Sequence, residues 1–124
     1  MARGLAAGTV NGWLDGTFAT ASCYLKLHTG DPGAAGATAA AAGDTTRKQA
    51  TMAAASAGSK AASASVGPWT NGGTSETITD VSIWSASTAG TFNGSAQLSA
   101  SKAWASTDTL TLTAFSVAIT PIAA

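Results

Sequence analysis

Charge is what this 124-residue chain has least of. Only 10% of its residues are Asp, Glu, Lys or Arg, six of each sign, and the formal charge is zero. Phosphate backbones are held by clustered Lys and Arg, so scattered cations in a neutral chain argue against a nucleic-acid partner. A single cysteine, Cys23, excludes an internal disulfide, and with no companion it does not suggest a metal site; it reads as a small buried hydrophobe. A single histidine, His28, excludes a two-histidine zinc motif. No apolar run approaches the ~20 residues that span a bilayer, and no secretory h-region opens the chain. The expectation is therefore a protein made and folded in cytosol, with no membrane and no nucleic acid among its partners.

Large aliphatic residues are also scarce. Much of the 45% hydrophobic fraction is alanine, and Leu, Ile, Val and Phe together make up roughly 15% of the chain, below the level expected of an ordinary globular domain. Low charge and four tryptophans argue against disorder. The reading is one globular domain with a thin core and an Ala/Ser/Thr/Gly-rich surface, the profile of an assembly component that gains burial from its neighbours.

The clearest local structure is Tyr24 to Gly33, YLKLHTGDPG. Leu25 and Leu27 alternate with Tyr24, Lys26 and His28, as a strand with one core face requires. Gly30, Asp31, Pro32 and Gly33 then force a turn. Ahead of it, Ala6, Val10, Trp13, Leu14 and Phe18 follow helical spacing, interrupted by Gly4, Gly8 and Gly12. Residues 1–20 are expected to form a short helix or an arm ordered against a partner, and residues 21–124 a β-domain. A membrane-helix reading of the glycines fails because Arg3, Asn11 and Asp15 interrupt the segment.

Beyond the turn, Ala34 to Gly43 reads as an exposed loop. Asp44 to Ser56 reads as a strand with a polar face carrying Arg47 and Lys48, Ala61 to Val66 as a weak strand, and Gly67 to Gly73 as a turn around Trp69. In Thr77 to Trp84, Val81 and Ile83 share a face while Ile78 lies out of phase, which predicts a bulge near Thr79; Trp84 reads as core. Ser85 to Asn93 reads as a loop and Ser95 to Ser99 as a short strand. Thr109 to Ile119 changes parity near Ala114, which predicts a tight hairpin or a bulged strand. The fold class expected is mainly β: an antiparallel β-sandwich or barrel-like domain with a short N-terminal helix or arm.

No catalytic constellation stands out. His28 has no GxSxG elbow beside it and reads as a residue whose ring nitrogens cap the following turn. The carboxylates Asp15, Asp31, Asp44, Glu76, Asp80 and Asp108 are dispersed, Asp31 and Asp44 reading as acceptors for backbone N–H groups in turns. Neither GxxxxGK[ST] nor a dinucleotide GxGxxG occurs. No cofactor and no metal are expected. The candidate partner contacts are Trp13, Arg47, Lys48, Trp69 and Trp104; Trp13, Trp69 and Trp104 sit near segment ends, where core or subunit interface is the favoured reading and stacking on sugar rings the other.

Four blocks resemble a family of small virion proteins of tailed bacteriophages, particularly those of high-GC Gram-positive hosts: LKLHTGDPG at Leu25 to Gly33, TTRKQATMAAAS at Thr45 to Ser56, ETITDVSIWSASTAGTFNGSAQL at Glu76 to Leu98, and DTLTLTAFSVAI at Asp108 to Ile119. The resemblance implies a non-enzymatic virion structural protein. The favoured form is a capsid decoration protein on the capsid surface that binds the major capsid protein as a trimer or dimer and stabilises the shell. The contact would use Trp13 and the arm, or Arg47 and Lys48. The alternative is a minor tail, baseplate or fibre protein that contacts the host surface, its exposed tryptophans stacking on carbohydrate. A small cell-wall hydrolase is a third reading, which would require turnover lost with His28→Ala.

Overall fold

The computed structural model describes residues 3–120 and 123; Met1 and Ala2, the start of the expected arm, lie outside the described residues. The fold is mainly β. Helix α1 (Ala7–Thr17) and a single 3-10 turn (Thr20–Ser22) precede eight strands: β1 (Tyr24–His28), β2 (Lys48–Gln49), β3 (Ser59–Ala61), β4 (Val66–Thr70), β5 (Glu76–Trp84), β6 (Phe92–Trp104), β7 (Thr109–Leu112) and β8 (Ser116–Ala118). An antiparallel four-stranded sheet has the order β2-β1-β5-β6, and β3-β8 and β4-β7 form two separate ribbons. The arrangement is sandwich-like and does not close into a barrel, because β2 and β6 end the four-stranded sheet.

Strand β1 organises the sheet as its alternation requires. Leu25 pairs with Ile83 and Leu27 with Val81, so four large aliphatics share the core face. Across from them stand Trp69 of β4, Leu110 of β7 and Trp104 at the end of β6, with Cys23 and Ile78 in the same buried cluster. Burying each large side chain contributes about 1.5–3 kcal/mol, so these few residues carry a core otherwise poor in bulk. The phase change at Ile78 is the expected bulge: β5 passes from Ile78 to Asp80 while β6 passes from Lys102 to Gln97.

Helix α1 forms despite its glycines. Val10 and Leu14, one turn apart, are buried. Asn11 Oδ1 accepts from Gly58 N at 3.0 Å and Asp15 Oδ1 from Ala55 N at 2.9 Å, which ties the helix to the segment before β3. Trp13 does not share that face: it lies about 100° around the helix from Leu14 and is 53% exposed.

Several sequence expectations give way to longer-range pairing. The stretch expected as a turn around Trp69 is strand β4, in which a register shift between Val66 and Trp69 leaves Trp69 opposite Leu110; its Gly67–Pro68 bond is cis. Gly67 adopts φ +116 there, and a Cβ at that position would meet the Leu110 carbonyl oxygen at 3.1 Å. Thr109 to Ile119 is neither a hairpin nor one bulged strand: β7 pairs with β4 and β8 with β3, because the parity change sends Leu110 towards Trp69 and Val117 towards Lys60. Ala61 to Val66 connects β3 to β4, and within Asp44 to Ser56 only Lys48 and Gln49 form a strand. β6 runs for 13 residues, far beyond Ser95 to Ser99. Trp84 is half-buried, not core. Ala34 to Gly43 is a loop as expected, though Gly36, at φ +70, packs so closely on the Phe92 ring that a Cβ would clash with it.

Candidate functional site

The densest gathering of polar and aromatic groups lies on the face of the four-stranded sheet opposite the core. His28, the last residue of β1, is fully buried. Its Nδ1 lies 2.8 Å from the Thr38 carbonyl oxygen and its Nε2 lies 2.7 Å from Ser82 Oγ. A carbonyl can only accept, so Nδ1 carries the proton and Nε2 accepts from the Ser82 hydroxyl. Ser82 Oγ in turn accepts from Trp84 Nε1 at 2.7 Å. The chain of bonds runs one way, Trp84 to Ser82 to His28 to Thr38, and uses the neutral imidazole. Burial pulls the His28 pKa below its ordinary value, with Lys26 acting in the same direction and the Thr38 bond and Asp80 opposing it. His28 is thus a structural connector between β1, β5 and the Ala34 to Gly43 loop, which it caps at Thr38.

Trp84 extends the seam outward. Arg47 Cζ sits 3.9 Å over its ring centroid, and Phe92 packs at 5.4 Å between centroids, tilted by 53°. Arg47 Nη1 donates to the carbonyls of Ala86 at 2.9 Å and Ala89 at 2.7 Å, fastening the 85–91 loop to the stack. That loop is also closed by Ser85 N to Thr91 O at 3.0 Å and Thr91 N to Ser85 Oγ at 2.8 Å. Desolvation draws the Arg47 pKa downward. Arg47, expected as a partner contact, therefore has its guanidinium engaged within its own chain. Lys48, its neighbour in β2, is half-buried at the sheet edge.

The tryptophan candidates separate cleanly. Trp69 and Trp104 are 0% and 1% exposed, and their indole N–H groups donate to Thr46 O at 3.0 Å and Asp108 O at 3.1 Å. Both lie near strand ends, and each fills the core with its one donor satisfied inside, so within the chain neither ring is open to a partner. Trp13 is the candidate that keeps an open ring, joined on α1 by Leu5 just before it, 40% exposed.

Three further clusters are structural connections. Lys60 Nζ, on a side chain only 5% exposed, meets Asp15 Oδ1 at 2.7 Å and donates to Ala53 O at 2.9 Å; the Lys60 hydrogen bond, then that of Ala55 N, holds the Asp15 carboxyl below its usual range. The buried side chain of Asn71 donates to Thr74 O and Trp104 O and accepts from Gly73 N and Thr74 N, using its full capacity in a turn that the Asn71-Gly72-Gly73 sequence signals. Glu76 accepts from Ala42 N at 2.7 Å and Gly43 N at 3.1 Å, which fixes the far end of the alanine-rich loop. Asp31 and Asp44 accept from Gly33 N and Thr46 N, the turn role expected of them. Burial raises the Cys23 thiol to about 11, far from a thiolate at neutral pH. Among the described residues, no group of three His, Cys, Asp or Glu side chains is placed to hold a metal ion, and no helix is long and apolar enough to cross a membrane.

The remaining feature is a groove of about 640 Å³ between β6 and β7, lined by Val81, Ala96, Leu98, Leu110, Leu112 and Phe115 among others. Sequence reasoning missed it, because it depends on β6 and β7 failing to pair.

No curated protein matches the chain. The family described as podophage GP4 fiber I protein gp80 matches residues 1–120, and the chain belongs to that family. It is a phage virion structural protein. The match agrees with the expected phage virion family at the coarse level; it does not support a decoration family marked by the LHTGDPG block and lies closer to the fibre alternative.

Proposed function

We propose that this protein is a non-enzymatic component of the fibre apparatus of a tailed phage, and that it contacts the host surface. The observation that carries the reading is the family match over nearly the whole chain, residues 1–120. The side-chain chemistry agrees with it. The one histidine is locked neutral in a buried chain of hydrogen bonds, and the strongest cation–aromatic stack holds a loop in place. The groups that could do chemistry are spent on rigidity, which suits a scaffold that presents surface and does not turn over substrate. If carbohydrate is part of the host contact, Trp13 is the ring exposed enough to stack on a sugar.

The copy number in purified virions tests the assignment. A fibre component is present at a small fraction of the major capsid protein, and antibody to the folded chain labels the tail and blocks adsorption. A copy number comparable to the major capsid protein, with label spread over the head, overturns the fibre reading in favour of capsid decoration. Turnover of cell-wall polymer by the purified protein, abolished in His28→Ala, overturns the non-enzymatic part.

A further inference from the structure

The loop from Gly33 to Ala40 lies as a second layer over the outer face of the four-stranded sheet, and almost no apolar side chain anchors it. Its eight residues are glycine, alanine and one threonine, and only Gly36 is buried, against the Phe92 ring. The remaining holds are polar. Ala39 O accepts from Thr29 N at 2.8 Å and from Thr29 Oγ1 at 3.2 Å, Ala40 bridges to His28, and Thr38 O accepts from His28 Nδ1 at 2.8 Å. Closing the loop bends Ala39 to φ +55, a left-handed conformation that is costly for any residue with a Cβ. The two ends are fixed separately. Pro32 is buried, while Ala41 N donates to Leu27 O at 3.1 Å, and Ala42 N and Gly43 N donate to Glu76.

Beneath this layer the His28–Ser82 pair is sealed, both residues being 0% exposed. The bond from the Ser82 hydroxyl to Nε2 exists only while the ring is neutral. A proton on Nε2 makes that nitrogen a donor facing an oxygen that already accepts from Trp84 Nε1, so the hydroxyl hydrogen has to turn away from the ring. The Thr38 bond survives, because Nδ1 donates in both states, but the new charge has no water around it. Burial outweighs the Thr38 bond in setting the ring's hold on a proton. Neighbouring charges do not make up the loss. Lys26 on β1 repels the proton and Asp80, opposite His28 on β5, attracts it; Asp31 in the loop base faces Gly33 N, Arg47 lies over Trp84, and β6 presents the uncharged Ser95 and Gln97. Among the described residues no carboxylate forms an ion pair with the ring. Water can reach the ring most readily from the loop side, since β1 and β5 are joined over five residue pairs and carry the core on their other face.

We infer that the Gly33–Ala40 loop is a proton-sensitive latch: protonation of His28 lifts it from the outer face of the sheet while Pro32 and Ala41 to Gly43 stay anchored. Lifting hydrates the imidazolium, frees the Ser82 hydroxyl to turn towards water and relaxes Ala39. It also bares the side of the Phe92 ring that Gly36 covers, next to Trp84. Such a segment opens locally, without the rest of the fold, because its contacts are few and mostly polar. The switch is the charge change of one buried histidine, and the element it biases is the loop above it.

NMR on the isotope-labelled full-length protein, titrated from neutral to mildly acidic pH, tests the latch whichever virion part the chain occupies. His28 is the one histidine, so its Cε1–H signal reports the ring's titration without ambiguity. Exchange protection of the Thr29 amide, referred to the intrinsic rate at each pH, is expected to fall about tenfold or more. The Gly36 Hα signals are expected to lose the ring-current shift imposed by Phe92. Both changes should share the midpoint of the imidazole titration, while amides between β1 and β5 keep their protection. His28→Gln removes the titrating group, and its Thr29 protection is expected to be independent of pH whether the variant's loop is closed or open. A Thr29 amide that stays protected while the ring titrates overturns the inference. So does a ring that stays neutral until the β1–β5 amides exchange as well. Release that persists with pH in His28→Gln assigns the effect to the carboxylates Asp31 and Glu76 at the loop's ends, and overturns it too.

Discussion

The two flanks of the four-stranded sheet solve the same problem in opposite ways. On the β1 side, the face away from the core is covered: the alanine-rich loop crosses it, His28 bonds that loop at Thr38, and Arg47 lies over Trp84 and grips the 85–91 loop. On the β6 side, no strand among the described residues pairs with the outer edge, and Ser95, Gln97 and Ser99 face solvent. A chain with few large aliphatics completes one flank with polar chemistry and leaves the other open. The closed flank should be sensitive to single substitutions, and the open flank should tolerate them in the isolated fold.

Removing the central connector is the largest test of that contrast. His28→Ala deletes a fully buried ring and strands the Thr38 carbonyl and the Ser82 hydroxyl. A buried polar group left without its partner costs about 1–3 kcal/mol, before any loss from the cavity. Gln97→Ala, on the open flank, should change stability by less than about 0.5 kcal/mol. Urea denaturation of the two variants checks the difference, and equal losses would erase the distinction between the flanks.

A smaller effect follows from protonating His28 instead of deleting it. Its native pKa lies below the ordinary 6.5, so the folded state favours the neutral ring. A group of this kind contributes stability that is fully present above the unfolded pKa and is lost as pH falls below about 6.5 toward the native value. The midpoint of urea unfolding should therefore decline between pH 7 and pH 5, and His28→Gln should flatten the slope. The Asp15 carboxyl, held below its ordinary 3.8, contributes stability that begins to be lost only as pH falls towards and below that ordinary value. A wild-type midpoint constant from pH 7 to pH 5 would show that the imidazole is not held neutral by the fold.

How much of this was legible in the sequence depended on the range of the interaction. The β1 alternation, the obligatory turn after it, the burial of Cys23 and the bulge beside Thr79 are local consequences of side-chain parity and turn chemistry, and all could be read directly. Trp69 could not, because a proline and a glycine beside it are ordinary turn punctuation; only the distant Leu110 makes that segment a strand. The end of the chain misled for the same reason, its two parities belonging to two ribbons whose partners are some 40 to 60 residues earlier. Arg47 read as a free cation since nothing local shows that the Ala86 and Ala89 carbonyls come within its reach. Of the five candidate contacts, the structure leaves Trp13 exposed and Lys48 half-buried at the sheet edge, and no pattern in the sequence separated Trp13 from the buried tryptophans.

Arg47 gives the finest test of the closed flank. Its guanidinium does two things at once: it sits over the Trp84 ring and directs one nitrogen at two carbonyls. Lysine keeps the charge and loses both the plane and the fork. Arg47→Lys should therefore cost about 0.5–1 kcal/mol, the scale of a partly exposed cation–aromatic contact, while leaving the sheet intact. The consequence should concentrate in the 85–91 loop. Proteolytic cleavage there should quicken and Trp84 fluorescence should shift, with little change in the global unfolding midpoint. A variant with wild-type loop protection would mean that Ser85 and Thr91 close the loop unaided, and that the arginine only shields the ring from water.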